Sequence, residues 1–507
     1  MLSKNNELKA GMILSYIQTF ISVTISLVYT PAMLLLLGKS EYGLYNIAST
    51  LISYVNLLNM GFSSSYVRFY TRKKASGNKD AVAQTNGLFV LVFIFIGILA
   101  LVSGFVLIGF VNVIFGTGLT DVEIKKAKII MTILTISTAY NLGTSIFSSI
   151  VVANEKFIFH KTVNLIKTIL SPSLTWIMLL MGYKSIAMSL VTAVLTVTAD
   201  TFYLVYCFTV LKIDVKMKSP QLGQLKEITV FSSFIAVTII VDQVNWSVDK
   251  IILGRFLGTA YTAVYSVAAT IQNLYTQMST AISNVFVPRV NELVAENNND
   301  NKLDELFVNV GKMQGLVLIP ILLGFIFLGR SFIRLWAPDG YDQAYYIALI
   351  LMLSSTIPYM QNIGITIQMA KNKHKFRAVL YSAMALVNFG LSILLCKKYG
   401  ALGVSFGTAI SLILCNGIIM NIYYRKSIGL NMAAFWKSMA KFLPTIAVLS
   451  VYGVLINIIL NIDGVGRLLA SGFIFLTVYL VMIWISFLEK NERKRILLAL
   501  HNRRKRV

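Results

Sequence analysis

Apolar residues come in blocks of about 20 to 28 along this chain, divided by short stretches that hold most of the charge. A helix needs about 20 apolar residues to cross a hydrocarbon core of roughly 30 Å. Only helices and closed barrels satisfy every backbone group there. The blocks therefore predict fourteen membrane-spanning helices, at residues 11–37, 42–66, 84–108, 127–152, 157–181, 185–211, 228–253, 260–287, 310–329, 343–370, 376–395, 401–424, 441–461 and 467–488. The first block is longer than a signal-peptide core and has no cleavage-site pattern before it, so it is expected to be retained.

The polar residues inside the blocks fall into stripes. Steps of three and four residues mark one face of a helix. The first span carries Ser15, Gln18, Ser22 and Ser26 at such steps, and the second Asn46, Ser49, Ser53 and Asn56, with Asn59 nearby. The seventh carries Thr238, Asp242, Asn245 and Asp249, and the eighth Asn273, Gln277, Thr280 and Asn284. Facing lipid would be costly for such stripes, so they are expected to face protein or water. Two readings remain open: a hydrated cavity lined by four related helices, or hydrogen bonds across packed interfaces.

Individual residues add chemistry. Asp242 lies near the middle of its span, and a central charge usually has a partner or a task. It is either a proton or sodium site or half of a structural salt bridge. The fifth span carries His160, Asn164, Lys167 and Ser171 on one face, followed by Pro172. Lys167 is too deep to snorkel fully, so it contacts an anionic substrate or pairs with a membrane acid such as Asp200 or Asp242. Arg68 and Arg289 close equivalent spans. They act either as topology anchors or as a pair at the inner mouth, suited to holding phosphate by bidentate hydrogen bonds.

The second span and its flanks recur. LGKSEYGLYNIASTLISYVNLLNMGFSSSYVR at residues 37–68 returns as LGTAYTAVYSVAATIQNLYTQMSTAISNVFVPR at 257–289, with Leu37, Gly38, Tyr45, Ile47 and Ala48 meeting Leu257, Gly258, Tyr265, Val267 and Ala268. YKSIAMSLVTAV at 183–194 likewise meets YGALGVSFGTAI at 399–410. Spans 1–6 therefore match spans 7–12. Six spans per copy keep the copies in the same orientation, which implies a pseudo-two-fold along the membrane normal and a pathway between halves. The expected organisation is a six-helix lobe at 1–211, a linker at 212–227, a second lobe at 228–424, two added helices at 425–488 and a basic tail at 489–507.

Charge then sets orientation. Of the 45 Lys and Arg residues, 32 fall in the termini and one set of alternate loops, 12 fall in the other set, and Lys167 lies inside a span. The asymmetry places both termini in the cytoplasm. The tail either lies along the anionic inner leaflet or simply sets topology. The net charge of +24 is thus explained without nucleic acid. Charged residues make up only 13% of the 507, far below a soluble domain. Cys207, Cys396 and Cys415 lack CxxC spacing and read as packing residues. No HExxH, nucleophile elbow or paired-carboxylate motif is found, and no large external loop to carry one, so a membrane polymerase or ligase is disfavoured.

The stretch LGKSEYGLYNIASTLISYVNLLNMGF with SSSYVRFYTRK, together with DKIILGRFLGTAYTAVYSVA, resembles the polysaccharide-transporter branch of the multidrug/oligosaccharidyl-lipid/polysaccharide exporter superfamily. These are the O-antigen, capsule and teichoic-acid type lipid-linked oligosaccharide flippases. The resemblance implies an all-α, MATE-like V of two six-helix lobes with spans 1, 2, 7 and 8 lining a cationic cavity. It implies a bacterial inner-membrane protein that moves polyprenyl-pyrophosphate-linked oligosaccharide between leaflets, beside membrane lipids and polysaccharide polymerase or assembly proteins. It makes Arg68, Lys167 and Arg289 head-group candidates, with Asn56, Asn164, Asn273 and Gln277 as sugar partners. No cofactor is expected beyond a coupling proton or sodium ion, for which Asp242 and Asn245 are the candidates. A peptidoglycan lipid-precursor flippase or an ion-coupled multidrug exporter of the same fold is the alternative.

Overall fold

The computed structural model describes residues 4–216, 222–296, 300–373, 375–459 and 464–487. Every regular element among the described residues is helical. In chain order these are α1 (Lys4–Leu37), α2 (Lys39–Val55), α3 (Phe62–Ala75), α4 (Lys79–Phe115), α5 (Asp121–Ala153), α6 (Phe157–Leu180), α7 (Ser185–Thr209), α8 (Leu222–Phe256) and α9 (Thr259–Val285). There follow α10 (Val287–Ala295), α11 (Asp300–Trp336), α12 (Gln343–Met360), α13 (Asn362–Ala370), α14 (Lys375–Leu412), α15 (Met420–Tyr423), α16 (Met432–Ala440), α17 (Leu443–Ile459) and α18 (Val465–Met482). Nine helices among the described residues are long and apolar enough to cross a membrane, or ten with a bent pair. The fourteen predicted spans all coincide with helix, so that number is consistent with the structure.

At three places the predicted spans differ from plain separate helices, each for a local reason. The second breaks in the middle. α2 gives way to a 3-10 turn at Asn56–Asn59, then Met60 and Gly61 adopt left-handed backbone at φ 43° and 74° before α3 begins. Asn side chains compete for nearby backbone groups and glycine enters the left-handed region freely, so the run NLLNMG favours a break. Arg68 consequently sits inside α3, which runs on to Ala75, rather than at a helix end. The tenth span bends by 43° between α12 and α13, just after Pro358. Spans eleven and twelve form one continuous assignment, but Gly400 inside it has φ 62° and ψ −139°. That conformation is open to glycine and turns the chain between the two spans.

The described chain divides into two compact units: residues 1–266 with 385–407, and residues 267–384 with 408–507. The helix α8, which opens the second copy of the repeat, thus belongs to the first unit and packs on α2, α3 and α4 there. The first unit contains two buried apolar cores. One is built on Tyr66, Phe89, Phe93, Ile146 and Ile150, and the other on Leu44, Ile47, Phe115, Ile130 and Met131. In the second unit Phe307 and Phe435 are fully buried and meet at a centroid distance of 5.1 Å.

Candidate functional site

Within the first unit the second-span stripe bonds to α8, through residues one position past Asp242 and Asp249 rather than through the predicted seventh-span stripe. Lys250 on α8 donates to Asn46 Oδ1 at 3.3 Å, and Gln243 Nε2 donates to Ser53 Oγ at 2.6 Å. Lower on the same pair, Ser65 and Ser232 share a hydrogen bond of 2.7 Å. Helices from the two copies of the repeat are therefore joined by polar side chains. Lys250 had been counted with the loop cations, but it lies within α8 and is partly buried. Asn46 is on the predicted second-span stripe, whereas Lys250 lies one position past Asp249, outside the predicted seventh-span stripe. Asn56 is exposed at the break after α2. The side chains of Asp242 and Asn245 lie outside the described residues.

A second polar line joins α6 to α7. Lys167 Nζ donates to Thr196 Oγ1 at 2.9 Å. Asp200, one turn further along α7, accepts from Asn141 Nδ2 at 2.8 Å. Asn164 donates to the His160 carbonyl at 3.0 Å, and Tyr203 donates to that same carbonyl at 3.2 Å. Of the two sequence alternatives for Lys167, the described contact is a hydroxyl one turn from the acid rather than a carboxylate. An ammonium has three donors, and the bond to Thr196 uses one. Replacing Lys167 with alanine is expected to reduce surface polysaccharide several-fold with the protein still in the membrane, a change of about 1 kcal/mol or more. Normal polysaccharide in that strain removes Lys167 from the mechanism.

Third comes a buried oxygen cluster around Asp249, which is only 1% exposed. Tyr265 donates its phenol proton to Asp249 Oδ2. Ser392 Oγ lies 3.5 Å from Asp249 Oδ1, 3.0 Å from Asn388 Oδ1 and 3.4 Å from the Val404 carbonyl. Asn388, Ser392 and Val404 are all buried. One hydroxyl proton can serve only one of those three acceptors at a time. A buried carboxylate can take up a proton, and carboxylate, amide and carbonyl oxygens grouped in this way are the ligand types that a hard cation takes. The sequence put Asp249 on the stripe but not at its centre, because nothing local predicts the approach of residues 388–404.

In the second unit α9 presents two adjacent polar faces. Asn273 and Asn284 are exposed and Gln277 is partly buried, while the neighbouring face is largely buried and hydrogen-bonded to other helices. Gln272 Nε2 donates to Ser355 Oγ at 2.8 Å, Thr276 shares 2.6 Å with the Tyr359 hydroxyl, Ser279 donates to the Tyr359 carbonyl at 3.0 Å, and Asn362 donates to Ser283 at 3.1 Å. Both earlier readings of the stripe thus have a counterpart, one residue apart: an accessible face and an interhelical seam. Arg289 is exposed on α10 and ion-paired with Glu292 at 2.7 Å. Arg68 is exposed on α3 of the other unit.

A fourth cluster joins helix ends at one membrane face, that of the 38–41, 116–120, 182–184 and 257–258 connections. Glu41 accepts from Lys126 and from the Ser185 hydroxyl, tying α2 to α5 and α7. Burial opposes ionisation of Glu41, but the bonds from Lys126 and Ser185 outweigh it and hold the carboxyl below its ordinary 4.5. A lowered folded pKa contributes stability above the unfolded value, and that contribution is lost as pH falls through the folded value. Thermal stability should therefore fall below pH 4.5, and Glu41→Gln should flatten that part of the curve. A curve of unchanged shape in Glu41→Gln contradicts this.

A sequence-family model described as "Polysaccharide biosynthesis protein" matches residues 33–346, more than half of the chain. The chain belongs to this family. The match takes in α2, α8 and α9, so the hydrogen-bonded polar residues of α2 and α8 lie within the matched region. A "Putative O-antigen transporter" of Shigella flexneri is 23% identical over 403 residues, covering 77% of this chain and 91% of that protein. "Teichuronic acid biosynthesis protein TuaB" of Bacillus subtilis (strain 168) is 24% identical over 226 residues, 44% of this chain and 46% of that protein. Among solved structures, "Lipid II flippase MurJ, inward closed conformation" superposes with a TM-score of 0.74 at 19% identity, covering 93% of this chain and 98% of that one. An inward-facing MATE family multidrug transporter of the MOP superfamily superposes at 0.66 and 12% identity, covering 81% and 98%. These likenesses show that the chain has a MATE-type helical fold.

Proposed function

We propose that this polytopic membrane protein is a flippase for lipid-linked oligosaccharide. It carries polyprenyl-pyrophosphate-linked repeat units from the inner to the outer leaflet of the bacterial cytoplasmic membrane by alternating access, for surface polysaccharide synthesis. The observation that carries this reading is the family match across the region where polar side chains of α2 and α8 meet. A sugar head group needs many hydrogen bonds, and Asn46, Ser53, Gln243 and their neighbours supply donors and acceptors within the membrane. A pyrophosphate needs cations, for which Lys167, Arg68 and Arg289 stand as candidates. The lipid tail can remain in the bilayer throughout.

Both termini are read as cytoplasmic from the loop charges, and a polymerase or other assembly protein is the partner that would take the delivered unit. The oxygen cluster at Asp249 is the better-supported coupling site for a proton or sodium ion, with Asp242 and Asn245 as the other candidates on the same helix. Depleting the protein tests the transport reading. Lipid-linked oligosaccharide should accumulate on the inner leaflet while surface polysaccharide falls. Loss of surface polysaccharide without that accumulation would place the protein at another step.

A further inference from the structure

Three connections at one membrane face are tied together by a single carboxylate that belongs to none of the cavity stripes. Glu123 lies in the first turn of α5, where Thr120 caps the helix. Its Oε2 accepts from the Thr120 amide at 2.9 Å and the Thr120 hydroxyl at 3.0 Å, completing a capping box. That arrangement fixes the carboxylate and points Oε1 outward. Oε1 accepts from Ser40 Oγ at 2.6 Å and from Thr259 Oγ1 at 2.8 Å.

Ser40 opens α2 and Thr259 opens α9, so these partners lie at the starts of two repeat-related helices. Their own hydroxyls are 3.4 Å apart. The reverse tie is made by Arg255 at the end of α8. Its Nη1 donates to the Val113 and Ile114 carbonyls at 2.9 and 2.8 Å, near the C-terminus of α4 where a cation is favoured. Thr117 returns a bond to the Arg255 carbonyl at 2.9 Å. Glu41, by contrast, bonds only elements of the first copy. Glu123 and Arg255 thus supply charged side chains that cross between copies at this face.

We infer that Glu123 is the latch residue that holds the outer end of the pathway closed between the two copies of the repeat. The inference rests on the alternating-access reading and on the outward assignment of these loops. Opening must break the bond between Glu123 and Thr259, while the capping box and Ser40 keep the carboxylate aimed for reclosure. Glu123 is therefore a positioning residue: it sets which side is open and does not touch the transported lipid.

The test uses the full-length protein in cells. Ser40→Cys with Thr259→Cys should form a disulfide under mild oxidant, suppress surface polysaccharide, and recover both on reduction. Separately, Thr262→Cys, fully buried on α9, serves as a reporter for a membrane-impermeant thiol reagent added outside. Glu123→Ala should raise its modification about tenfold, the order expected for losing one charge-assisted hydrogen bond, and Glu123→Asp should restore part of the protection. Thr259→Val, which removes only the crossing hydroxyl, should act in the same direction if Glu123→Ala fails to accumulate. Unchanged labelling in both variants overturns the latch, as does failure to cross-link or reagent entry from the cytoplasmic side alone. A cross-linked protein that still delivers polysaccharide overturns the latch and leaves the flippase reading standing. Unchanged surface polysaccharide on deletion of the chain overturns the flippase reading, while thiol labelling still reports on the latch.

Discussion

Asp249→Asn is expected to cut delivery of surface polysaccharide by about tenfold or more, the factor that roughly 1.4 kcal/mol makes in a rate or an equilibrium. The amide preserves shape and can still accept the Tyr265 phenol, but it cannot take up a proton or balance a cation. Dependence on the ion gradient should therefore fall together with transport, while the amount of protein in the membrane stays unchanged. Asp249→Ala goes further. It leaves the Tyr265 hydroxyl without its acceptor beside buried Ser392, a loss of roughly 1–3 kcal/mol for each unsatisfied buried group. Its thermal midpoint in detergent should drop below that of Asp249→Asn. Normal gradient-dependent transport by Asp249→Asn makes the cluster structural, and the same measurement on Asp242→Asn then decides whether coupling lies two turns earlier on α8.

Gly43→Ala is the second large expected effect. A Cβ at position 43 would lie 1.9 Å from the Thr259 carbonyl oxygen and 2.6 Å from its carbon. Those are backbone atoms, so the first turns of α2 and α9 must separate to admit a methyl group. Overpacking of this kind typically destabilises by about 1–3 kcal/mol. The strain falls where Ser40, Glu123 and Thr259 meet, so the variant should both melt earlier and expose the outer seam. Gly109→Ala is the control, since nothing lies within 4 Å of its added Cβ. Equal melting temperatures for the two variants would show that the close approach of α2 and α9 does not matter.

Hydrophobic block length was enough to place fourteen helical spans, because spanning the bilayer leaves so few backbone solutions. The internal repeat marks α2 and α9 as equivalent, and the second-span stripe does bond to α8, though one position away from the stripe predicted there. What it could not show is which of two adjacent faces on one helix is buried. On α9 the predicted series Asn273, Gln277, Thr280 and Asn284 and the buried series Gln272, Thr276, Ser279 and Ser283 have the same spacing. Only tertiary packing separates them.

The break at residues 56–61 was visible as two asparagines and a glycine, yet apolar continuity masked it. Lys250 was counted as a loop charge because hydropathy alone puts it near a span end. Asp249 depends on Asn388 and Ser392, about 140 positions away, so its environment has no local signature. Glu123 could have been found from the Thr-x-x-Glu capping pattern at its helix start, but its bond to Thr259 joins residues 136 apart.

Movement of a lipid-linked oligosaccharide by this chain alone is the central claim, and reconstitution tests it most directly. Purified protein in liposomes loaded with polyprenyl-pyrophosphate oligosaccharide should make inner-leaflet sugar accessible to an external glycosidase. The rate should depend on Lys167 and rise with an imposed proton or sodium gradient that needs Asp249. Sugar that stays protected at the rate of protein-free liposomes, with the protein folded and both gradients applied, would contradict the account.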